Sequence, residues 1–225
     1  MAVLQQEQAS IITFNPTYLK VKRLLDIVIT LLAAPLLLFV VILIAICIKL
    51  DSEGPVFFRQ KRIGQDGRVF EMLKFRSMYV DSDQNIHKEK IKLFMNGGKL
   101  DTSGDPSLAY KFRNDPRVTR VGRIIRKTSL DELPQFWNVL RGEMSLVGPR
   151  PPLPYEVEMY TEREWLRLCG KPGCTGTWQV YGRSRVSFQD MIEMDIEYLQ
   201  MQSIWQDLKL IILTIPVMIL GRGGA

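Results

Sequence analysis

The sequence holds a single histidine, His87, in a polar His-Lys-Glu-Lys run with no second histidine to share a metal or relay a proton. Histidine-based acid–base catalysis and histidine-rich metal sites are thereby excluded, and His87 reads as a surface residue. Cysteine is scarce too. Cys47, Cys169 and Cys174 are odd in number, lack Cys-x-x-Cys spacing, and include one member inside an apolar run, so a reducing compartment is the simplest setting. Internal repeats and low-complexity tracts are absent, as are helix-turn-helix and stacking motifs beside the basic residues, so nucleic acid is not the expected partner. One glycine-rich loop, at 171–184 and carrying Arg183, lacks the strand and helix flanks of a nucleotide fingerprint.

The 225 residues suffice for one sizeable domain, and the net charge of +6 is modest. Its distribution says more. Lys and Arg gather beside an apolar segment and ahead of a pair of acids, which points to phosphates or anionic lipid headgroups as partners.

Residues 1–19 are polar without a sustained period and read as a tail. Ile27 to Ile48 is apolar apart from Thr30, long enough at ~1.5 Å per residue to cross a hydrocarbon core of ~30 Å. Pro35 falls inside it and is expected to break or kink the helix. Lys20, Lys22 and Arg23 precede the run and Lys49, Arg59, Lys61 and Arg62 follow it, whereas a spanning helix carries its positive residues on one side. A helix that bends at Pro35 and leaves through the leaflet it entered accounts for both features. A kinked spanning helix remains the alternative.

Gly54-Pro55 ends this segment. Val56–Gln60, a turn at 64–67 and Val69–Phe75 then predict a β-hairpin. Its second strand delivers Lys74 and Arg76, which by residue type alone are solvated strand charges or diphosphate ligands. The polar stretch from 79 to about 112 is expected to be the most mobile part, with a short amphipathic candidate at Lys88 to Met95. Asp115-Pro116 reads as a helix start, with Asp115 as N-cap. Arg117, Arg120, Arg123 and Arg126 recur every third residue after it, as an arc suited to anionic lipid, with Arg126 nearest the acids.

Those acids are Asp131 and Glu132. On spacing alone Ser129-Leu-Asp-Glu132 is a capping box, with Ser129 as cap and Glu132 reaching back. Pro134 argues otherwise, because it sits more easily at a helix start and would leave both acids in the entering turn. Further on, Gly142–Pro154 predicts a turn and an extended proline-rich loop that holds Arg150 stiffly. A helix is expected from Ser187 to Gln202. Leu208–Leu220, short and carrying Lys209 and Pro216, is expected to be interfacial or core.

From about Lys20 to its end the chain resembles the bacterial sugar transferase family, the monotopic polyprenyl-phosphate phosphoglycosyl transferases. The likeness rests on the apolar segment broken at Pro35, Lys-Phe-Arg-Ser-Met at 74–78, Ser-Leu-Asp-Glu-Leu-Pro-Gln at 129–135, Ser-Leu-Val-Gly-Pro-Arg-Pro at 145–151 and Lys-Pro-Gly-Cys-Thr-Gly at 171–176. It implies transfer of a sugar phosphate from a UDP-sugar to a polyprenyl phosphate, with Asp131 as nucleophile and Mg²⁺ ligand and Glu132 as its partner. It also implies phosphate or nucleotide binding by Lys74, Arg126 and Arg150; Arg76 and Arg183 are further substrate-binding candidates. Larger members of the family carry a polytopic region ahead of this core, so the chain reads as a small member or an excised core. The expected architecture is α+β and predominantly helical. It comprises a tail (1–19), a re-entrant membrane helix region (20–50) and a cytoplasmic membrane-associated catalytic domain (51–225) with a small hairpin and interfacial helices. The expected setting is the bacterial inner membrane, with downstream glycosyltransferases as later partners and homo-oligomerisation left open. Two other classes fit less of the pattern: a membrane-anchored scaffold, and a conventional glycosyltransferase releasing UDP.

Overall fold

The computed structural model describes residues 12–80, 91–92, 94–95, 115–182 and 186–219. His87, Arg183 and most of the polar stretch expected to be mobile lie outside them. Helix α1, Pro16–Asp51, opens where the side chain of Asn15 accepts from the backbone N–H groups of Thr17 and Tyr18, with proline at the first helical position. Its first residues thus fall in the segment assigned to a tail. The helical span also continues through Pro35, although proline there removes one N–H donor. Among the described residues it is the one helix long and apolar enough to cross a membrane. Its most apolar window has a mean hydropathy of 3.2 and is only 11% buried, so α1 is not a core helix. It marks a membrane-associated chain.

Strands β1 (Phe57–Ile63) and β2 (Val69–Phe75) form the expected antiparallel hairpin, turning through Asp66 and Gly67 at positive φ. Helix α2 (Arg120–Lys127) starts at Thr119, whose hydroxyl accepts from the Gly122 amide, and not at Asp115-Pro116. Asp115 instead caps a tight turn and pairs with Arg117 at 2.7 Å, which takes the first arginine out of the basic arc. Exposed Arg120 and Arg123 flank an exposed Ile124 on the remaining helix.

Next come a short 3₁₀ turn at Leu130–Glu132 and helix α3 (Gln135–Arg141), closed by Gly142 at φ 80°. Strand β3 (Ser145–Val147) pairs in parallel with β4 (Gly173–Thr175), so the two loops read as irregular join in a second small sheet. Short helices α4 (Pro154–Val157) and α5 (Glu162–Trp165) lie between these strands; α6 (Phe188–Met201) and α7 (Ile204–Ile219) follow them. Helix α6 falls where the sequence predicts one, and Ser187 caps it through the Asp190 amide.

Two apolar clusters hold the body together. The larger gathers Val139, Met144, Val147, Ile192, Ile196, Leu199 and Leu210 from α3, β3, the turn between them, α6 and α7; the smaller packs Ile44 and Ile48 of α1 on Phe75, Ile125 and Leu133. The first arm of α1 is held by polar bonds. Lys22 and Tyr18 reach Asp207 at 2.8 and 2.9 Å, Arg23 donates to the carbonyls of Val139 and Leu140, and buried Asp26 accepts from Ser145 and Leu146. Lys22 is therefore consumed inside the body and is not a free charge flanking the apolar run. At the other end, Asp51 accepts from the Val121 amide at the start of α2. Both ends of α1 thus rest on one folded body, while Leu32, Leu36, Leu38 and Phe39 around Pro35 stand exposed.

Candidate active site

The capping box does not form. Ser129 takes the left-handed conformation, φ 57° and ψ 16°, and its hydroxyl makes no capping bond. For a residue with a Cβ this backbone is uncommon. It turns the chain sharply so that Asp131 and Glu132 occupy the 3₁₀ turn, while Pro134 caps α3. The acids stand in the turn entering a helix, as Pro134 had suggested.

Opposite them lies the hairpin. Cross-strand partners share a face, and the register pairs Phe58 with Lys74, Gln60 with Met72 and Arg62 with Phe70. One face therefore presents Lys74, Met72 and Arg62 together, and these three line a cleft shared with Glu132, Gln135 and Arg150. Lys74 is partly buried and bonds Glu132 at 2.7 Å, which replaces the solvated reading of that lysine. Asn138 fixes the spacing between α3 and β2. Its side-chain amide accepts from the Leu73 N–H at 3.0 Å and donates to the Glu71 carbonyl at 2.8 Å, completing the free edge of β2 as another strand would. Asn138→Ala leaves a buried N–H and C=O without partners on either side of Met72. It should cost about 2 to 4 kcal/mol in thermal unfolding, and unchanged stability would remove Asn138 from this role.

The two acids differ in charge. Although burial works the other way, Lys74, Arg150 and Arg62 hold the Glu132 carboxyl below the ordinary glutamate range. Burial pushes Asp131 up to about 6; Lys74 opposes the rise, Glu132 adds to it and Arg126 opposes it. Asp131 is thus an ionisable carboxylate stripped of much of its water, flanking the cleft instead of lining it. Arg62 is buried and, among the described residues, bonds no carboxylate: it donates to Gln60 and to the Pro151 carbonyl, and burial together with the Arg150 charge lowers it to about 10. Several cations converging on two acids leave positive potential for an added anion.

Of the residues singled out in the sequence, Asp131, Glu132, Lys74 and Arg150 meet here, with Arg126 near enough to bias Asp131. Arg76 does not join them. Its guanidinium bonds Ser52 and the Glu53 carbonyl, closing the end of α1. Arg62, Gln135 and Gln179 line the cleft without having been singled out. Stepping by twos from Lys74 and crossing the hairpin would have reached Arg62, whereas nothing local marks the two glutamines.

The bacterial sugar transferase family model matches residues 17–221. The chain belongs to that family. It is 41% identical over 224 residues to the galactosyl transferase CpsE of Streptococcus agalactiae, covering 97% of this chain and 47% of that protein. It is 42% identical over 207 residues to a UDP-glucose:undecaprenyl-phosphate glucose-1-phosphate transferase of Caulobacter vibrioides, covering 87% of this chain and 68% of that one. Against the exopolysaccharide production protein ExoY of Rhizobium meliloti the identity is 39% over 203 residues, covering 90% and 87%. The chain spans about half the length of CpsE, about two thirds of the Caulobacter protein and most of ExoY.

Proposed function

We propose that the chain transfers a sugar phosphate from a UDP-sugar to a membrane polyprenyl phosphate, releasing UMP and starting a lipid-linked exopolysaccharide, capsule or O-antigen glycan for downstream glycosyltransferases. The observation that carries this reading is the meeting of Asp131 and Glu132 with Lys74, Arg62, Arg126 and Arg150, in a member of a family whose named relatives move galactose or glucose phosphate onto undecaprenyl phosphate.

A carboxylate attacks a doubly charged diphosphate poorly unless cations neutralise its oxygens. In the first step an Asp131 oxygen bonds to the β-phosphorus while the bond to the UMP oxygen breaks. Arg150 and Arg126 hold the phosphate oxygens and the departing UMP. Lys74 keeps Glu132 ionised beside the attacking group, and partial burial leaves Asp131 less solvated and more nucleophilic. In the second step a phosphate oxygen of the polyprenyl carrier attacks the aspartyl phosphate, which frees the Asp131 carboxylate and leaves a sugar diphosphate on the lipid.

Mg²⁺ fits this donor set. No cage of three His, Cys, Asp or Glu side chains forms among the described residues, and this ion characteristically uses one or two carboxylates plus substrate phosphates and retains waters. Asp131 would hold it, since Glu132 is engaged by Lys74. When bound, the ion supplies charge neutralisation at the diphosphate.

With UDP-galactose or UDP-glucose, undecaprenyl phosphate and Mg²⁺, UMP should appear in step with lipid-linked sugar and cease in excess EDTA. Release of UDP overturns the reading in favour of a conventional glycosyltransferase. No turnover with a panel of UDP-sugars, alongside intact membrane binding, favours a scaffold.

The same proposal sets α1 in the cytoplasmic leaflet of the bacterial inner membrane as a re-entrant segment, with anionic lipid beneath α2. A spanning helix has ends separated by ~30 Å of hydrocarbon, whereas here both ends rest on one body and the exposed apolar residues lie around Pro35. Cysteines placed at Val3 and Gln65 should both be shielded from a periplasmic thiol reagent in intact cells. Labelling at Val3 alone would replace the re-entrant segment with a spanning one.

A further inference from the structure

The segment Gly148–Pro152 is irregular, yet its backbone polar groups are taken up almost completely. The Gly148 N–H donates to Thr175, the Pro149 carbonyl accepts from Gly173, and the Pro152 carbonyl accepts from Ile63. Arg62 serves the Pro151 carbonyl at 2.8 Å. Arg150 remains, and its carbonyl is bonded by one member of an ion pair. Arg167 donates through a single nitrogen to the Arg150 carbonyl at 3.0 Å and to Asp195 at 2.5 Å, and the Arg150 backbone amide lies near enough to favour the ionised Asp195 carboxylate. The other terminal nitrogen of Arg167 donates to the Tyr160 hydroxyl at 3.0 Å. The Arg150 guanidinium lies over the Trp178 ring, 5.8 Å from its centroid.

Arg167 and Asp195 are respectively 2% and 1% exposed. Desolvation makes such a pair a poor source of stability, and apolar replacements often do as well. What an apolar pair could not do is hold the Arg150 carbonyl by a donor that a carboxylate keeps in place. We propose that Arg167 and Asp195 are positioning residues that clasp the backbone of Arg150 and so fix where its guanidinium meets the substrate phosphate. The inference rests on the role given to Arg150 above. It predicts that a change far from the acids reduces turnover through Arg150 alone.

A double-mutant cycle of UMP release tests it, with circular dichroism as a check on folding. Asp195→Asn should lower kcat/KM about tenfold or more in the parent enzyme, yet by less than about twofold in an Arg150→Ala background, because the clasp then has nothing to aim. Should Asp195→Asn not fold, Arg167→Lys takes its place, keeping the charge without the planar fork that reaches Tyr160, Asp195 and Arg150 together. Equal fold losses in both backgrounds, or no loss in the parent, overturn the clasp. If Arg150→Ala itself leaves kcat/KM unchanged, the role of Arg150 falls and the inference falls with it.

Discussion

Asp131→Asn should abolish sugar phosphate transfer while leaving the protein folded. Asparagine keeps the shape of the side chain and removes the attacking oxygen's charge, so UMP release should drop by more than about 10³-fold, the scale on which enzymes lose a covalent nucleophile. Folding survives because the carboxylate is held against its solvation preference: burial raises it to about 6, so the parent gains no stability from that charge near neutrality. Steady-state turnover and thermal unfolding of the purified variant check both halves. Substantial turnover with correct folding would remove Asp131 as the nucleophile, and Glu132, held ionised by Lys74, Arg150 and Arg62, would need to be reconsidered.

Arg150→Ala should give the next largest loss. Its guanidinium faces a cleft that already holds Arg62 and Lys74, and Glu132 is bonded to Lys74, so the net charge left over calls for an anion. A charged hydrogen bond to phosphate contributes on the order of 1.5 to 3 kcal/mol, equivalent to about tenfold to 150-fold in kcat/KM for the UDP-sugar. Arg150→Lys should recover part of this, because it restores charge without the planar fork. Full activity of Arg150→Ala would assign the phosphate to other cations of the cleft.

Much of this arrangement is legible in the residues. The hairpin announces itself through flanking apolar runs and the Gly-Gln-Asp-Gly turn, and α6 through the spacing of Phe188, Met191, Ile192 and Tyr198 behind a serine cap. Pro134 was the better guide to the acids than the Ser-x-x-Glu spacing. A capping box requires extended backbone at its first residue, and Ser129 is left-handed in a turn packed between α2 and the hairpin. Asp115 misled for a related reason: a local carboxylate can cap a turn as readily as a helix, and Arg117 supplies a partner that holds it there. Strands β3 and β4 were hidden because three-residue segments among Gly and Pro carry no usable period. Lys74, Arg62 and Arg76 stand close together in the hairpin sequence, yet one bonds a carboxylate, one grips a loop carbonyl and one closes a helix end. Those fates are tertiary, and charge type alone does not separate them. The polar stripe of α1, Lys22 and Asp26, was likewise readable only once Asp207 and Ser145 were seen against it.

Covalent catalysis requires an aspartyl sugar-phosphate intermediate, and mass spectrometry of the acid-quenched protein and its peptides detects it most directly. Incubated with UDP-sugar and Mg²⁺ but no lipid acceptor, the enzyme should gain the mass of one sugar phosphate on the peptide bearing Asp131 and release one equivalent of UMP. Adding polyprenyl phosphate should then clear the adduct, with parallel double-reciprocal lines in steady state. Absence of the adduct and of the UMP burst, together with intersecting lines, would contradict the two-step account and reassign Asp131 as a metal ligand in a direct transfer.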